Sequence, residues 1–384
     1  MTAQLLQIAG DIRDYAWGSS GGISRALGHA PTEAIEAELW LGSHPSSPSR
    51  IISTDAGHTD LAAWESDGHG PMPFLLKLLA AASPLSLQAH PTPTQALEGF
   101  DRENALGIPL AARERNYKDP FAKPELIVAL EDGFEALCGF RPIADTRAAI
   151  HELAISARDA APFREWDELL GNPGGLRDAF EWLLAYGAGP RSIVEEISTM
   201  SAAIGRPWLL GRSLSEKYPG DPGVAIALML NHVTLAAGQA LWLPAGNIHA
   251  YLRGVGVELM GPSDNVLRGG LTTKHVDQTE LQKILDFSDG APPILIPRHL
   301  TEHVRTYRPP VSPTGEHEGF QLYDIIGSVT LPTTSPSIGL VTSGAFSLTV
   351  SNRHMHLERG QAAVVTDSTD IHIEGSGRLF LASE

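Results

Sequence analysis

The sequence predicts a mainly β protein with an α-helical insertion and a second, smaller β region near the C-terminal end. Three observations support this. Glycine and proline are frequent, with 38 and 28 among 384 residues, which favours many short elements joined by tight turns. Hydrophobic residues make up 42% of the chain and charged residues 19%, enough apolar surface for two or three packed domains. The hydrophobic periodicity becomes helical only in the middle of the chain.

Short apolar runs separated by turn residues fill the first 140 or so residues. Examples are LWLGSHPSSPSRII, PFLLKLLAAASPLSLQAHP and KPELIVAL. The continuous apolar run Leu126 to Leu130 predicts a buried strand, because a strand covered on both faces has no polar side.

The pattern becomes helical from Asp145 to about His232. Apolar residues at helical spacing form two stripes, Ile150, Leu153, Ala154 and Ala157 in one, and Leu176, Ala179, Phe180, Leu183 and Leu184 in the other. Ser192 with Glu195 reads as a capping box that starts a further helix. Asp221-Pro222 predicts another helix start, with a cap followed by a first-turn proline.

Strand patterns return after Gly238 with QALWLPAGNIHAYL, and a short helix is expected over Asp277 to Phe287. Residues from roughly 320 to 384 alternate strand-like runs such as IGLVTSG, FSLTV and QAAVVT. We therefore expect residues 1–140 and 233–300 to form one β domain, residues 141–232 a helical insertion, and residues 301–384 a second β domain.

The net charge and the cysteine content argue against several classes of partner and metal site for this protein. The formal net charge is −17, so attraction to nucleic acid or to an anionic membrane is not expected, and an anionic substrate would need a local basic pocket. Cys138 is the only cysteine, which excludes an internal disulfide and thiolate-cluster metal sites and favours a reducing compartment. No signal peptide, membrane-spanning run or nucleotide-binding glycine loop is recognisable. We expect a cytoplasmic protein, and a monomer because no feature specifies a dimer interface.

Candidate ligands for a metal lie in three separated segments. A strand over Ser86, Gln88 and His90 would place these three side chains on one face. In Lys123-Pro124-Glu125, the proline favours an extended backbone, so its two polar neighbours should also point the same way. The third segment has turn residues at Gly238, Pro244 and Gly246 before presenting His249.

Gln88, His90, Glu125 and His249 together offer one amide oxygen, two imidazole nitrogens and one carboxylate. This donor set suits a borderline divalent ion such as Zn²⁺ with positions left for water or substrate. With a single anionic ligand the site would keep a net positive charge, as a Lewis acid requires.

Six longer motifs are specific enough to suggest a family: Tyr15-Ala-Trp17-Gly18, AELWLGSHPSSPS from Ala37, PFLLKLLAAASPLSLQAHP from Pro73, YKDPFAKPELIVAL from Tyr117, LPAGNIHAYL from Leu243 and SDNVLRGGLTTKHVD from Ser263. Through these motifs the chain resembles the type I mannose-6-phosphate isomerases (phosphomannose isomerases) of the cupin superfamily over nearly its whole length. Gly238 to His249 also fits the second cupin motif, G-x5-P-x-G-x-x-H. The fold implied is two cupin-type β-sandwich or jelly-roll domains, the C-terminal one without metal, plus a helical domain.

The resemblance places one zinc ion per chain on Gln88, His90, Glu125 and His249. It places other active-site residues at Trp17, Lys77, Ser86, Lys123, Tyr251, Glu258 and Arg268. Of these, Lys123, Tyr251, Glu258 and Arg268 are expected to be catalytic, and Trp17, Lys77, Ser86, Lys123 and Arg268 to bind substrate. The family's common Thr-Pro-Lys is Thr272-Thr273-Lys274 here.

The reaction implied is the reversible conversion of mannose 6-phosphate to fructose 6-phosphate through a zinc-stabilised cis-enediol. Such a reaction needs stabilisation of negative charge on oxygen and a base that moves a proton between adjacent carbons. Glu258, nine residues after His249, is the first candidate for the base, and a metal-bound water or hydroxide is its rival. Arg268 can hold the phosphate with a bidentate fork, and Lys123 or Lys77 can add a point charge.

The sequence also allows two other functions and contains a second segment that resembles a metal-binding motif. A cupin oxygenase could hold Fe(II) with His90, His249 and Glu125, and a sugar-phosphate sensor could bind without catalysis. The sequence His354-Met355-His356 with Glu358 superficially copies a metal-binding motif, but its polar flanks predict a solvated hairpin.

Overall fold

A computed structural model describes residues 3–30, 32–53, 57–200, 206–310, 319–333, 336–367 and 369–384. The N-terminal part contains mostly strands. Its elements are β1 (Leu5–Ala9), β2 (Ile12–Arg13), β3 (Ser19–Ser20), α1 (Gly22–Ala26), β4 (Ile35–Glu36), β5 (Glu38–Leu41), β6 (Arg50–Ile51), α2 (Leu61–Trp64), an irregular helical turn (Glu65–His69), β7 (Leu75–Ala81), β8 (Leu87–Ala89), α3 (Pro93–Ala105), β9 (Glu125–Ala129) and β10 (Phe134–Phe140).

Helices follow β10, and strands then return to the end of the chain. The helices are α4 (Ile143–Ser156), α5 (Ala161–Leu170), α6 (Gly175–Ala185), α7 (Ala188–Thr199), α8 (Arg206–Lys217) and α9 (Gly223–Ile226). After them come β11 (Leu230–Leu235), β12 (Ala240–Leu243), β13 (His249–Met260), β14 (Leu267–Gly270), α10 (Gln278–Ile284), β15 (Ile294–Leu295), β16 (Arg298–His299), β17 (Val304–Tyr307), β18 (Gln321–Ile325), β19 (Val329–Thr333), β20 (Ser337–Val350), β21 (Arg353–Glu358), β22 (Ala362–Val365) and β23 (Thr369–Ser383).

Two large antiparallel sheets organise these strands, and the prediction of a mainly β protein with helices is confirmed. The first sheet has the order β15-β12-β9-β13-β7-β5-β2, with β8 and β10 also pairing with β13. The second sheet has the order β16-β17-β18-β23-β20-β22-β1-β6. Strand β1 therefore pairs with β22 of the C-terminal sheet. Among the described residues, no helix is long and apolar enough to cross a membrane.

The central strands of the first sheet are buried on both faces, which explains their nearly continuous apolar sequences. Because side chains alternate along a strand, Leu76 and Leu78 of β7 face the second sheet while Leu79 faces the opposite interior. Strand β9 divides in the same way, with Leu126 packed toward the second sheet and Ile127 toward the interior. Each such leucine contributes about 1.5–3 kcal/mol through burial. The interior face is the one that carries the candidate site.

The helical predictions are confirmed for most elements, and one is wrong. The stripe beginning at Leu176 is buried on α6, and α10 begins after Asp277, whose carboxylate accepts a hydrogen bond from the backbone N–H of Glu280 at 2.9 Å. Ser192 does not cap a helix but lies inside α7, which already begins at Ala188. The first-turn residue Pro190 explains the earlier start, because its fixed φ suits the first turn.

Candidate active site

The three polar segments predicted to converge do meet at one end of β13. His249 is the first residue of β13, and its ladder partner on β8 is Gln88. Glu125 is the first residue of β9, and its carboxylate lies 3.2 Å from His90 Nε2 and 3.1 Å from His249 Nε2. The Gln88 amide nitrogen Nε2 lies 3.3 Å from His249 Nε2. The candidate ligand atoms of His90, Glu125 and His249 all lie within 4.8 Å of one another.

The hydrogen bonds around the two imidazoles fix which nitrogen faces the cluster. His90 Nδ1 is 2.7 Å from the Asn265 carbonyl oxygen, and His249 Nδ1 is 2.9 Å from the Asn247 carbonyl oxygen. Since a carbonyl oxygen can only accept, each Nδ1 donates its proton, and Nε2 is the nitrogen that each ring turns toward Glu125. Among the described residues, His90 Nε2 and Glu125 Oε2 have no hydrogen-bond partner. Buried polar atoms in this state suit a site that binds a cation.

The protonation states of the cluster also suit a metal. Burial lowers the pKa of His90 to about 4, so its imidazole is neutral near pH 7. Burial alone would raise the pKa of Glu125, but the Lys123 ammonium 2.8 Å from its Oε1 and the two neighbouring histidines together lower it, and the pKa lies well below its usual range. Neutral imidazoles, a carboxylate and an amide oxygen are ligands that zinc accepts. The residues present therefore fit a zinc ion.

A second network of buried charges lies beside the cluster. Lys77 of β7 lies 3.3 Å from Glu38 Oε1 and 3.5 Å from Glu258 Oε2. Burial alone would lower the pKa of Lys77, but these two carboxylates outweigh it and raise the pKa. The Tyr251 hydroxyl donates a 2.8 Å hydrogen bond to Glu258 Oε1. The lysine is therefore a fixed positive charge between two carboxylates.

Glu258 has an unusual acidity for a carboxyl group. Burial, together with the negative charge of Glu125, raises the pKa of Glu258 to about 7, although Lys77 acts in the opposite direction. Glu258 and Lys77 are direct ladder partners on β13 and β7. A carboxyl group with this pKa exchanges a proton readily near neutral pH.

A cavity of about 680 Å³ opens onto these groups. Of the residues predicted for the site, those on its wall are Trp17, Lys77, Ser86, Gln88, Lys123, Glu125, Tyr251, Glu258 and Arg268. His90 and His249 lie behind this wall and are fully buried. The wall also carries other charged groups, so that five cations and four carboxylates of the described residues line the cavity.

Arg268 places a guanidinium group at this cavity. It lies on β14 opposite Gln88 of β8. Its guanidinium Nε is buried and has no hydrogen-bond partner among the described residues, and burial lowers its pKa. Lys274 also lines the cavity, and its pKa is lowered by burial and by the charge of Arg268. Two neighbouring cations and an unused N–H donor suit a phosphate group.

Sequence reasoning missed Glu38 and Trp40 as site residues. Trp40 donates a 2.8 Å hydrogen bond through Nε1 to Glu38 Oε2, and its ring lies under the Lys77 ammonium at 4.6 Å. The run ELWL contained the information, because Glu38 and Trp40 are two residues apart and so lie on the same face of a strand. Pairing of β5 with β7 then brings both to the site.

The His354 and His356 pair is solvated, as predicted. Both lie exposed on β21, and their Nδ1 atoms lie 2.8 Å from the Thr349 hydroxyl and 3.2 Å from the Ser347 hydroxyl. Cys138 is fully buried, and burial raises the pKa of its thiol to about 12.

The chain is similar to proteins of known activity. A family model described as phosphomannose isomerase type I, catalytic domain, matches residues 5–143. The mannose-6-phosphate isomerase of Salmonella typhimurium is 34% identical over 393 residues, covering 97% of this chain and 98% of that protein. The mannose-6-phosphate isomerase of Escherichia coli is 34% identical over 391 residues, with the same coverage.

Solved structures agree with these sequence relatives. A crystal structure of a mutant phosphomannose isomerase from Salmonella typhimurium aligns with a TM-score of 0.87 at 31% identity, covering 99% of each chain. A crystal structure of mannose 6-phosphate isomerase bound with zinc and yttrium aligns with a TM-score of 0.84 at 32% identity, again covering 99% of each chain.

Proposed function

The chain belongs to the type I phosphomannose isomerase family, and we propose that it interconverts mannose 6-phosphate and fructose 6-phosphate. The observation that carries this proposal is the cluster of His90, Glu125 and His249, whose carboxylate lines the same cavity as Arg268. The family membership favours this reaction over an Fe(II) oxygenase or a sugar-phosphate sensor.

Gln88, His90, Glu125 and His249 would hold one zinc ion per chain. The partnerless His90 Nε2 and Glu125 Oε2 support this ligand set. When bound, zinc polarises the carbonyl and adjacent hydroxyl oxygens of a sugar, which contributes several kcal/mol to stabilising negative charge on them. Lys123 adds a positive charge on the same side of the cavity.

Glu258 is the proposed base. It accepts the C2 proton of open-chain mannose 6-phosphate, leaving a cis-enediol, and returns the proton to C1, while a hydroxyl proton passes from O2 to O1. The Tyr251 hydrogen bond to Oε1 and the Lys77 ammonium 3.5 Å from Oε2 hold the carboxylate in place at the cavity wall. The raised pKa of Glu258 supports both halves of this transfer, because the group can accept and release a proton near pH 7.

Arg268 is the proposed phosphate ligand, and other cavity residues position the sugar. Its guanidinium can bind two phosphate oxygens in parallel. Trp17, which lies on the cavity wall, can stack on an apolar sugar face, and the Ser86 hydroxyl can bond to a sugar hydroxyl. Lys77 lies between Glu38 and Glu258. We propose that its positive charge stabilises the carboxylate form of the base and interacts with nearby sugar oxygens.

We further propose that the sheets form two cupin-type β-sandwich or jelly-roll domains. Residues 1–140 with 233–300 would form the metal-binding domain, 141–232 the helical domain, and 301–384 the domain without metal. The grouping of helices α4 to α9 between β10 and β11 supports this division. Strands β1, β6 and β16 are exceptions, because they belong to the C-terminal sheet.

We also propose that the enzyme works as a cytoplasmic monomer. The lone, buried Cys138 is consistent with a reducing compartment. Size-exclusion chromatography with light scattering tests the monomer, and a mass of twice 41.1 kDa would contradict it.

The proposed activity is tested with mannose 6-phosphate as substrate and fructose 6-phosphate detected by a coupled assay. We expect turnover without oxygen consumption, its loss after chelation, and its recovery when one zinc ion per chain is restored. Turnover that is unchanged after complete removal of metal would contradict the proposed function.

A further inference from the structure

A second cluster of two histidines and a carboxylate lies apart from the active-site cavity. His58 precedes α2, and Asp67 and His69 belong to the irregular turn that follows α2. His58 Nε2 lies 3.1 Å from Asp67 Oδ2, and one candidate ligand atom from each residue lies within 4.8 Å of the others. The two histidines are partly buried and Asp67 is exposed. None of the three lines the active-site cavity.

Packing holds the two rings of this cluster in place. The His69 ring stacks on the buried Trp64 ring, with centroids 4.5 Å apart and planes 10° apart. The His58 ring meets the His69 ring edge-on, with centroids 5.9 Å apart. Gly68 has a φ of 91°, a conformation that favours glycine and turns the chain between Asp67 and His69.

The turn itself is anchored to the rest of the protein. The carboxylate of Glu65, in the same turn, accepts hydrogen bonds from the Ser43 hydroxyl and from the backbone N–H of Met72. The turn is thus tied both to the segment after β5 and to the segment before β7. A ligand set on an anchored turn loses little conformational entropy when it binds an ion.

We propose that His58, Asp67 and His69 bind a second divalent ion, for which Zn²⁺ is the natural probe. Two imidazoles and one carboxylate provide nitrogen and oxygen donors that suit a borderline ion, and the exposed side leaves positions for water. The bound ion would connect the segment before α2 to the turn after it, and would stabilise this part of the fold. This site does not depend on the isomerase activity.

Counting bound metal tests the proposal. Protein stripped with a chelator is dialysed against a small excess of Zn²⁺, and the ions per chain are measured by inductively coupled plasma mass spectrometry. We expect two ions per chain in the unchanged protein, and one in His58→Ala and in His69→Phe. The phenylalanine keeps the ring that packs on Trp64 while removing the ligand nitrogens. Isomerase turnover should be unchanged in both variants.

Three further variants distinguish this site from the active site and from the exposed histidines of β21. In Glu125→Gln, where the active-site ion is expected to be lost, one ion should remain, and adding His58→Ala should remove it. The double variant His354→Ala/His356→Ala, which removes two exposed histidines, should keep both ions. The proposal is overturned if the unchanged protein holds only the ion that depends on Glu125, or if the second ion is lost in the His354/His356 variant and kept in His58→Ala.

Discussion

Two fully buried carboxylates, one in each sheet, differ in how their oxygens are satisfied. Asp324 of β18 accepts bonds from Arg378 through both oxygens, at 2.9 and 2.8 Å, and a further 2.8 Å bond from Arg305. Glu125 of β9 has a cation beside Oε1, but its Oε2 has no hydrogen-bond partner among the described residues. Both oxygens of Asp324 therefore have hydrogen-bond donors within the protein, whereas one oxygen of Glu125 has none among the described residues.

The difference separates a structural charge from a functional one. Burying a charge costs several kcal/mol unless it is paired and hydrogen-bonded. At Asp324 two guanidinium groups offset that cost and join β17, β18 and β23. At Glu125 part of the cost stays uncompensated until a cation binds to the free lone pairs. An incompletely satisfied buried acid is therefore the better indicator of a binding site, and the following variants test this view.

The largest effect is expected for Glu125→Gln. The amide keeps the size of the side chain but removes the only negative charge of the cluster, so zinc should bind weakly. Loss of several kcal/mol of metal stabilisation corresponds to a decrease in kcat/KM of about 10³-fold or more. Coupled assays and metal analysis on the same sample check this. A variant that keeps full activity and its zinc would remove Glu125 from the site.

Glu258→Gln should lower kcat by about 10²–10⁴-fold, the usual contribution of a positioned base. Because Glu258 does not belong to the predicted ligand set, zinc content should stay at one ion per active site, and KM should change little. Near-normal turnover with zinc retained would show that another group is the base.

The pH profile gives a graded test of the same residue. The base must be deprotonated, and its pKa is about 7, so kcat/KM should rise about tenfold per pH unit below 7 and level off above it. Lys77→Met removes a charge that lowers this pKa, so the rise should move to higher pH. A profile that is unchanged in Lys77→Met would show that Glu258 does not control it.

A smaller effect is expected for Arg268→Ala. Hydrogen bonds to charged groups are worth about 1.5–3 kcal/mol, so kcat/KM for mannose 6-phosphate should fall by about 10- to 100-fold, mainly through KM. Arg268→Lys keeps the positive charge but cannot make two parallel hydrogen bonds to the phosphate, so it should recover part of the lost kcat/KM. If KM and kcat are unchanged in the alanine variant, the phosphate is bound elsewhere.

The sequence predicted which polar side chains share a face within each segment, because that geometry is local. Alternation along β8 and the proline between Lys123 and Glu125 place these side chains without knowledge of the whole fold. Glu38 and the partners of Asp324 were not predicted, because their roles depend on which distant strands pair. The start of α7 was also missed, since Ser192 imitates a cap while Pro190 already lies in the first turn.

The smallest effect on activity is expected for Asp324→Asn, which is the matched change in the other sheet. The substitution leaves two arginines without their shared carboxylate, and breaking such a pair costs up to about 3 kcal/mol here, because Arg305 and Arg378 keep 30% and 17% of their side chains exposed. Urea denaturation should show this loss, whereas kcat/KM and zinc content should stay unchanged. Asp370→Asn, at an exposed position of β23, is the control and should change stability by less than about 0.5 kcal/mol. A loss of activity in folded Asp324→Asn protein would mean that the C-terminal sheet shapes the site through more than stability, and that a satisfied buried charge can also be functional.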